Sequence, residues 1–379
     1  MLNTLSGFGK IFGTGFAVGQ LFPSILFAIM VKWLYATEPS TFLDYLNSLQ
    51  NLDNSVDIIL IAVGTAVVLL TANREIIRFF EGYGAGAVFK FRFWFPWAWI
   101  NERRKFRSLD EDYAAKDTKR AGLNGELERL KAAIEAETNE KRKADLVRQK
   151  EAKADEIDNL EYEMGAILYT KASTLPEDLD SVLPTRFGNR IAAFEAYSRV
   201  VYGFDAIEGI ERLQPHIQAS QAESEAGSKS RVDLWVNLAA LACVWFLFIL
   251  YLTWGPGPSP LAWCLRDIVV AGICVFPFAF VAMLLATEAA FAWGATVKAC
   301  IDLSLDKLAE DLGYVVPKAA EEEQEFWRTL SQHFLLRDPG TLSDLEKYRK
   351  KAPPPSPPAP VIRRVVRAPR QYRGPSGRP

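Results

Sequence analysis

Histidine is almost missing from this chain. Only His216 and His333 occur in 379 residues, far apart in sequence. A histidine pair for acid–base work or zinc binding therefore has no basis, and each histidine reads as a structural or exposed residue. Cysteine is equally sparse. Cys243, Cys264, Cys274 and Cys300 lie in or beside apolar runs, with no C-x-x-C spacing. That pattern supports neither a disulfide framework nor a zinc site. The chain also lacks a Gly-x-Ser-x-Gly elbow, a Walker loop and a His-Glu-x-x-His helix. An enzyme reading has no motif to rest on, and no cofactor is implied.

Charge is nearly absent from four apolar stretches, at about 11–33, 56–72, 234–254 and 268–286, where only Lys32 and Asp57 occur, each near an end. A membrane-spanning helix needs about 20 mainly apolar residues. Leu234–Leu252 and Ile268–Ala286 meet this cleanly. Val56–Thr71 is shorter, and Ile76–Phe80 extends its apolar face. The first run contains Pro23 and ends near Lys32-Trp33. A charge at the bilayer centre costs about 3 kcal/mol on insertion scales, which places Lys32 at the interface. Asp57, Asp267 and Glu288 also fall at run ends. With no ionisable residue at a run's centre, a proton relay or an ion-coupled carrier is not expected.

The runs form two close pairs. They predict an all-α membrane protein with two transmembrane hairpins, 1–82 and 232–292, flanking a cytoplasmic helical, coiled-coil domain. Lysine and arginine set the orientation. The loop 36–55 has none and the loop 255–267 has only Arg266, whereas 73–107 is rich in both. Both termini are therefore expected in the cytoplasm. Lys10 stands without a basic n-region or a small-residue cleavage site, so the first run reads as a retained helix.

Gly9, Gly13, Gly15 and Gly19 give two Gly-x-x-x-Gly pairs. Small residues four apart let helices approach closely, either inside one bundle or at a homo-oligomer seam. Residues 82–87 loosely match a dinucleotide-binding turn. They follow a membrane helix and not a strand, so a helix break is the better reading. The segment 83–110 includes FRFWFPWAWINERRKFR (91–107). Aromatics mixed with basic groups beside a membrane suit the headgroup zone of an anionic inner leaflet. That position disfavours nucleic acid. Pro96 is expected to interrupt any helix there.

Residues 111–172 carry two heptad-like seams. One is Leu123, Leu127, Leu130 and Ile134. The other is Leu146, Ile157, Leu160, Met164 and Leu168. Glu137–Lys143 lacks large apolar residues, so two antiparallel helices are expected to join there. In 173–217, a helix from about Gly188 to Tyr202 should bury Ile191, Phe194 and Val201, with Gly203 as its C-cap. Asp205 should cap the next helix, with Glu208 in capping-box position and Ile207, Ile210 and Leu213 on its apolar face. Arg186, Asn189, Glu195, Tyr202 and Asp205 fall where this corner would gather them. The gathering would be either a hydrogen-bonded brace or a small polar pocket for an anion or nucleotide.

Residues 218–231 read as a linker. In 293–346, Ile301, Leu305, Leu308 and Leu312 continue the last membrane helix as far as Gly313. A short helix at about 320–336 then carries Phe326, Trp327, Leu330 and Phe334 onto the central domain. The tail 347–379 holds ten Lys or Arg, nine Pro and no Asp or Glu. It reads as a disordered basic segment drawn to anionic lipid.

Three stretches, FAVGQLFPSILF (16–27), REIIRFFEGY (74–83) and LPTRFGNRIAAFEAYSRVVYGFDAIEGIERL (183–213), resemble an uncharacterised group of bacterial multi-pass inner-membrane proteins. The resemblance implies a bacterial inner-membrane location and adds no catalytic residue. The function expected from these readings is a membrane-anchored interaction or signalling module, bound to a cytoplasmic partner or to copies of itself. An oligomeric channel is the alternative.

Overall fold

The computed structural model describes residues 14–34, 55–83, 96–254, 265–336 and 339–350. Among these residues the regular structure is helical and no β-strand occurs. Gly9, Gly13, Cys264, the loop 36–54, the segment 84–95 and the tail from 351 lie outside the described residues.

Helix α1 is Phe22–Leu34 and is entered through a π turn at Ala17–Leu21. Helix α2 is Ser55–Glu81. The two pack antiparallel through Ala28, Ile29, Ile58 and Ala62. Lys32 pairs with Asp57 where their chain ends meet. Helix α7, Ala219–Trp254, and helix α8, Leu265–Asp311, form the most extensive pair in the molecule. Contacts of Phe246 with Phe276 and of Ser228 with Thr296 define their antiparallel register. Among the described residues, three stretches are long and apolar enough to cross a membrane: Val56–Glu81, Ala219–Tyr251 and Gly272–Asp311. A shorter apolar helix covers Ala17–Trp33.

The region 218–231 is not a linker, because α7 runs through it unbroken. Its small polar residues fit close packing. Ser228 and Ser230 are buried, and Ser228 hydrogen-bonds Thr296 at 2.9 Å.

Helices α3, Pro96–Ala136, and α4, Glu140–Thr174, form the antiparallel arm. Pro96 is the first described residue of α3, since 84–95 lie outside the described residues. The arm thus takes in part of the aromatic and basic segment, well before residue 111. The two helices turn at 137–139, and the Asn139 side chain accepts from Lys141 and Arg142 N–H groups to start α4. Leu123, Ile157, Leu160 and Met164 are buried, whereas Leu168 is exposed. Cross-helix ion pairs flank this seam, including Lys119–Glu156 at 3.0 Å and Glu126–Lys153 at 3.1 Å.

Helix α5, Arg186–Val201, lies across α2 and α8. It inserts Phe187, Ile191 and Phe194 against Val232, Val236, Ala286 and Ala290. Val201 is exposed, contrary to the periodic reading. Gly203 takes φ +79 as the stop, with Gln324 backbone packed against it. Helix α6, Ala206–Leu213, buries Leu213 but exposes Ile207 and Ile210, so its apolar face is only partly covered. Helix α9, Ala320–Leu336, closes a second core of Phe204, Leu213, Ile301, Leu305, Leu308, Phe326, Trp327 and Leu330. Helix α10 is the short Pro339–Leu345.

Candidate functional site

The C-terminal end of α2 meets the N-terminal end of α5 almost backbone to backbone. Four C-terminal carbonyls and four N-terminal N–H groups of any helix need partners outside its own ladder. One side chain serves both ends here. Thr185 Oγ1 accepts from Gly188 N at 3.0 Å and so caps α5. The same hydroxyl donates in a shared hydrogen bond to Phe80 O at 2.9 Å and Glu81 O at 2.8 Å. Gly188 is required at this junction, because a Cβ would stand 2.1 Å from Glu81 O.

Beside the junction lies a cavity of about 460 Å³. Its wall is built from Tyr83, Trp99, the connector 176–184 and the outer face of α5 with Glu195 and Arg199. Trp99 Nε1 donates to Val182 O at 2.9 Å, and Arg103 reaches Asp180 at 3.4 Å, which fixes the connector. Arg199 pairs with Glu177 at 3.4 Å. Glu195 makes no ion pair among the described residues. Desolvation by the cavity wall raises its carboxyl above the usual carboxylate range.

That shift carries a sign. A carboxyl raised above its unfolded value stabilises the fold below the unfolded value of 4.5 and loses that contribution as pH rises through the folded one. Glu195→Gln is therefore expected to flatten the fall in stability between acid and neutral pH. Thermal unfolding of both proteins across that range measures it, and parallel curves would refute the assignment.

The five polar residues expected at one corner are not gathered. Asn189 is buried and clamps Leu183, accepting from its N–H at 2.7 Å and donating to its carbonyl at 3.0 Å. Asn189 also donates to Glu102 at 3.3 Å, and Arg186 stands 3.6 Å from the same carboxylate. Glu195 faces the cavity. Tyr202 instead donates to Asp302 at 3.0 Å, as does Tyr197 at 2.9 Å. Burial and then the Asp302 bond raise both phenols, which keeps them protonated donors. Asp205 caps α6 by accepting from Ile207 N at 3.0 Å. The corner dissolves because α5 is a full helix, so these positions point to different neighbours.

The described wall of the cavity favours neither an anion nor a nucleotide, since Glu177, Asp180 and Glu195 line it and Arg199 is the one cation there among the described residues. No group of three or more His, Cys, Asp or Glu side chains placed to hold a metal ion occurs among the described residues. His216 pairs with Asp311 at 3.1 Å, and His333 Nδ1 lies 3.0 Å from Thr341 Oγ1. Cys243, Cys274 and Cys300 are free thiols.

A second polar cluster escaped the sequence reading altogether. Asp233 is 5 % exposed and sits between three apolar helices. Its carboxylate accepts from Gln20 at 3.4 Å, from Asn73 at 3.2 Å and from Lys229 at 3.0 and 3.2 Å. The π turn precedes Pro23, which has no N–H to donate to the carbonyl four residues back. That carbonyl is Gly19 O, and Asn237 Nδ2 donates to it at 2.8 Å. Gly15 and Gly19 face α7 of the same chain, where a Cβ on Gly19 would stand 3.0 Å from the Asp233 Cβ. Two of the four glycines thus serve packing within the chain. Gln20, Asn73, Asp233 and Asn237 lie in or at the edge of apolar runs, and Lys229 lies one turn before Asp233, so periodicity does not bring them together.

Comparison with family models, with curated proteins and with solved structures finds no match to this chain.

Proposed function

We propose that this chain is a multi-pass membrane protein that anchors a cytoplasmic helical arm as an interaction module. In this reading α1 with α2, and α7 with α8, are two transmembrane hairpins in a bacterial inner membrane. Both termini and the arm lie on the cytoplasmic side. The basic tail and the flanks of α2 rest against anionic lipid. The resemblance to bacterial multi-pass inner-membrane proteins agrees with this placement.

One observation carries the reading. Tyr162 and Tyr169 are 81 % and 66 % exposed, seven residues apart on α4 with Gly165 and Ala166 between them. That spacing puts both rings on one helix face, away from the buried Leu160 and Met164 seam. The arm that presents them is long, since the 41 residues of α3 extend about 60 Å at 1.5 Å per residue. Aromatic anchors around small residues are typical of protein contact surfaces.

The test keeps the base of the arm. Lys171 pairs with Asp110 at 2.6 Å, so the two helices are already side by side where the arm is cut. Residues 111–172 are replaced by a short Gly-Ser bridge, and in the full chain a photo-crosslinking residue is placed at 162 or, separately, at 169. The expected result is a specific crosslinked species from position 162, with membrane insertion of the shortened chain unchanged. Absence of any crosslink from 162 and 169, with the full chain correctly inserted, refutes the reading.

A further inference from the structure

The cavity beside the α2–α5 junction is open to solvent. Tyr83 and Ile207 both line it, yet they are 46 % and 64 % exposed. Trp99 stands in the same wall with its indole held by Val182 O, and Pro176 and Pro184 belong to that wall too. Its acidic side is only lightly engaged. Glu177 and Asp180 each meet one arginine, at 3.4 Å, and the Asp180 side chain is almost wholly exposed. Each carboxylate therefore has oxygens open to a further guanidinium. Aromatic-lined clefts are surfaces on which proline-rich segments dock, because the proline helix is stiff and loses little entropy on binding. Carboxylates beside the rings add a preference for arginine next to the prolines.

This chain carries such a segment. Residues 353–364 read PPPSPPAPVIRR. A proline helix has three residues per turn, so Pro354, Pro357, Pro360 and Arg363 share one edge of it, and Pro355, Pro358, Val361 and Arg364 share the next. We propose that 353–364 docks in this cavity of its own chain, its prolines against Tyr83, Trp99 and Ile207 and its arginines at Glu177 and Asp180. The place where the chain leaves the described structure favours this occupant. Lys350 N donates to Gly313 O at 2.9 Å, and the Tyr348 ring meets Phe326 of α9 with centroids 5.1 Å apart. On the same helix, Gln324 donates to Val201 O at 2.9 Å, at the end of α5 and two residues past Arg199. Ten residues of proline helix extend about 31 Å, against about 24 Å for the whole of α5, so the prolines reach the cavity from Lys350. Tethering gives the segment an effective concentration on the order of millimolar, so modest contacts suffice. Residues from Arg367 onward remain for the leaflet.

The experiment places a photo-crosslinking residue at 361 in the full chain, in lipid nanodiscs, and maps the products. The expected product has the mass of one chain, with position 361 joined to Tyr83, Trp99, the connector 176–184 or Ile207. Arg363→Glu with Arg364→Glu should cut its yield severalfold, and so should Glu177→Lys with Asp180→Lys. The four substitutions together should restore it, which a merely damaged fold would not do. If the wall variant does not fold, the tail variant still decides, since its changes lie outside the described residues. An unchanged yield in the tail variant would overturn the proposal. So would a product with the mass of two chains, or crosslinks from 361 to lipid alone. Crosslinking from 162 is read separately, so this proposal and the reading of the arm fail independently.

Discussion

Trp327→Ala is expected to destabilise the protein by about 3–5 kcal/mol, the range for removing a large aromatic from a packed core. Trp327 is fully buried in the cluster that α9 shares with Phe204, Leu213 and the end of α8. Its ring meets Phe204 and Phe326 edge-on, with centroids 5.6 and 4.9 Å away. The cavity left behind cannot be refilled locally, because Ile301, Leu305 and Leu308 are fixed on a long helix. Release of α9 also frees the Gly203 stop, whose backbone packs on Gln324. Trp327→Phe should lose much less. It retains most of the ring, and the indole N–H it removes has no hydrogen-bond partner among the described residues. The check is unfolding in detergent together with limited proteolysis near residues 312–320. Wild-type resistance in the alanine variant would show that α9 is not held by this ring.

Gly188→Ala should be the second large effect. The added Cβ would meet Glu81 O at 2.1 Å and Glu81 Cα at 2.9 Å, all backbone. Overpacking typically costs about 1–3 kcal/mol when side chains can yield, so a clash with main chain belongs at or above that range. The expected consequence is separation of α5 from the end of α2, with loss of the Thr185 hydrogen bonds. Hydrogen exchange should rise at 184–190 while the arm stays protected. Gly165→Ala is the matched control. Nothing lies within 4 Å of a Cβ there, and a helix interior prefers alanine to glycine by roughly 0.5–1 kcal/mol. That variant should be slightly more stable. Equal behaviour of the two would refute the close approach at Gly188.

Much of the helical frame was legible in the sequence, because long apolar runs and heptad spacing are strong signals. The turn at 137–139, the Gly203 stop and the 320–336 helix all follow from simple punctuation and periodicity. The failures have physical causes. Residues 218–231 read as a linker because they are small and polar, yet small side chains are what close contact between α7 and α8 requires. Val201, Ile207 and Ile210 read as core because periodicity reports which residues share a face and not whether anything covers it. The Asp233 cluster joins residues 213 positions apart, and no local pattern pairs Gln20 with Asp233. Thr185 was the one missed site residue with a local signal, since a threonine before a helix is a ready N-cap.

Helix α8 is one helix of 47 residues with Pro277 inside it. A proline removes a ladder hydrogen bond and marks the point where such a helix bends. Past that point a single stretch carries the Ser228–Thr296 contact with α7, the docking of α5 at Ala286 and Ala290, and the α9 core at Ile301, Leu305 and Leu308. From Phe278 to Asp311 it extends about 50 Å, so a tilt of about 5° about its midpoint would carry each end roughly 2 Å in opposite directions. A displacement imposed just past Pro277 is therefore delivered, as leverage and not as a relay of contacts, to the aromatic core under Trp327.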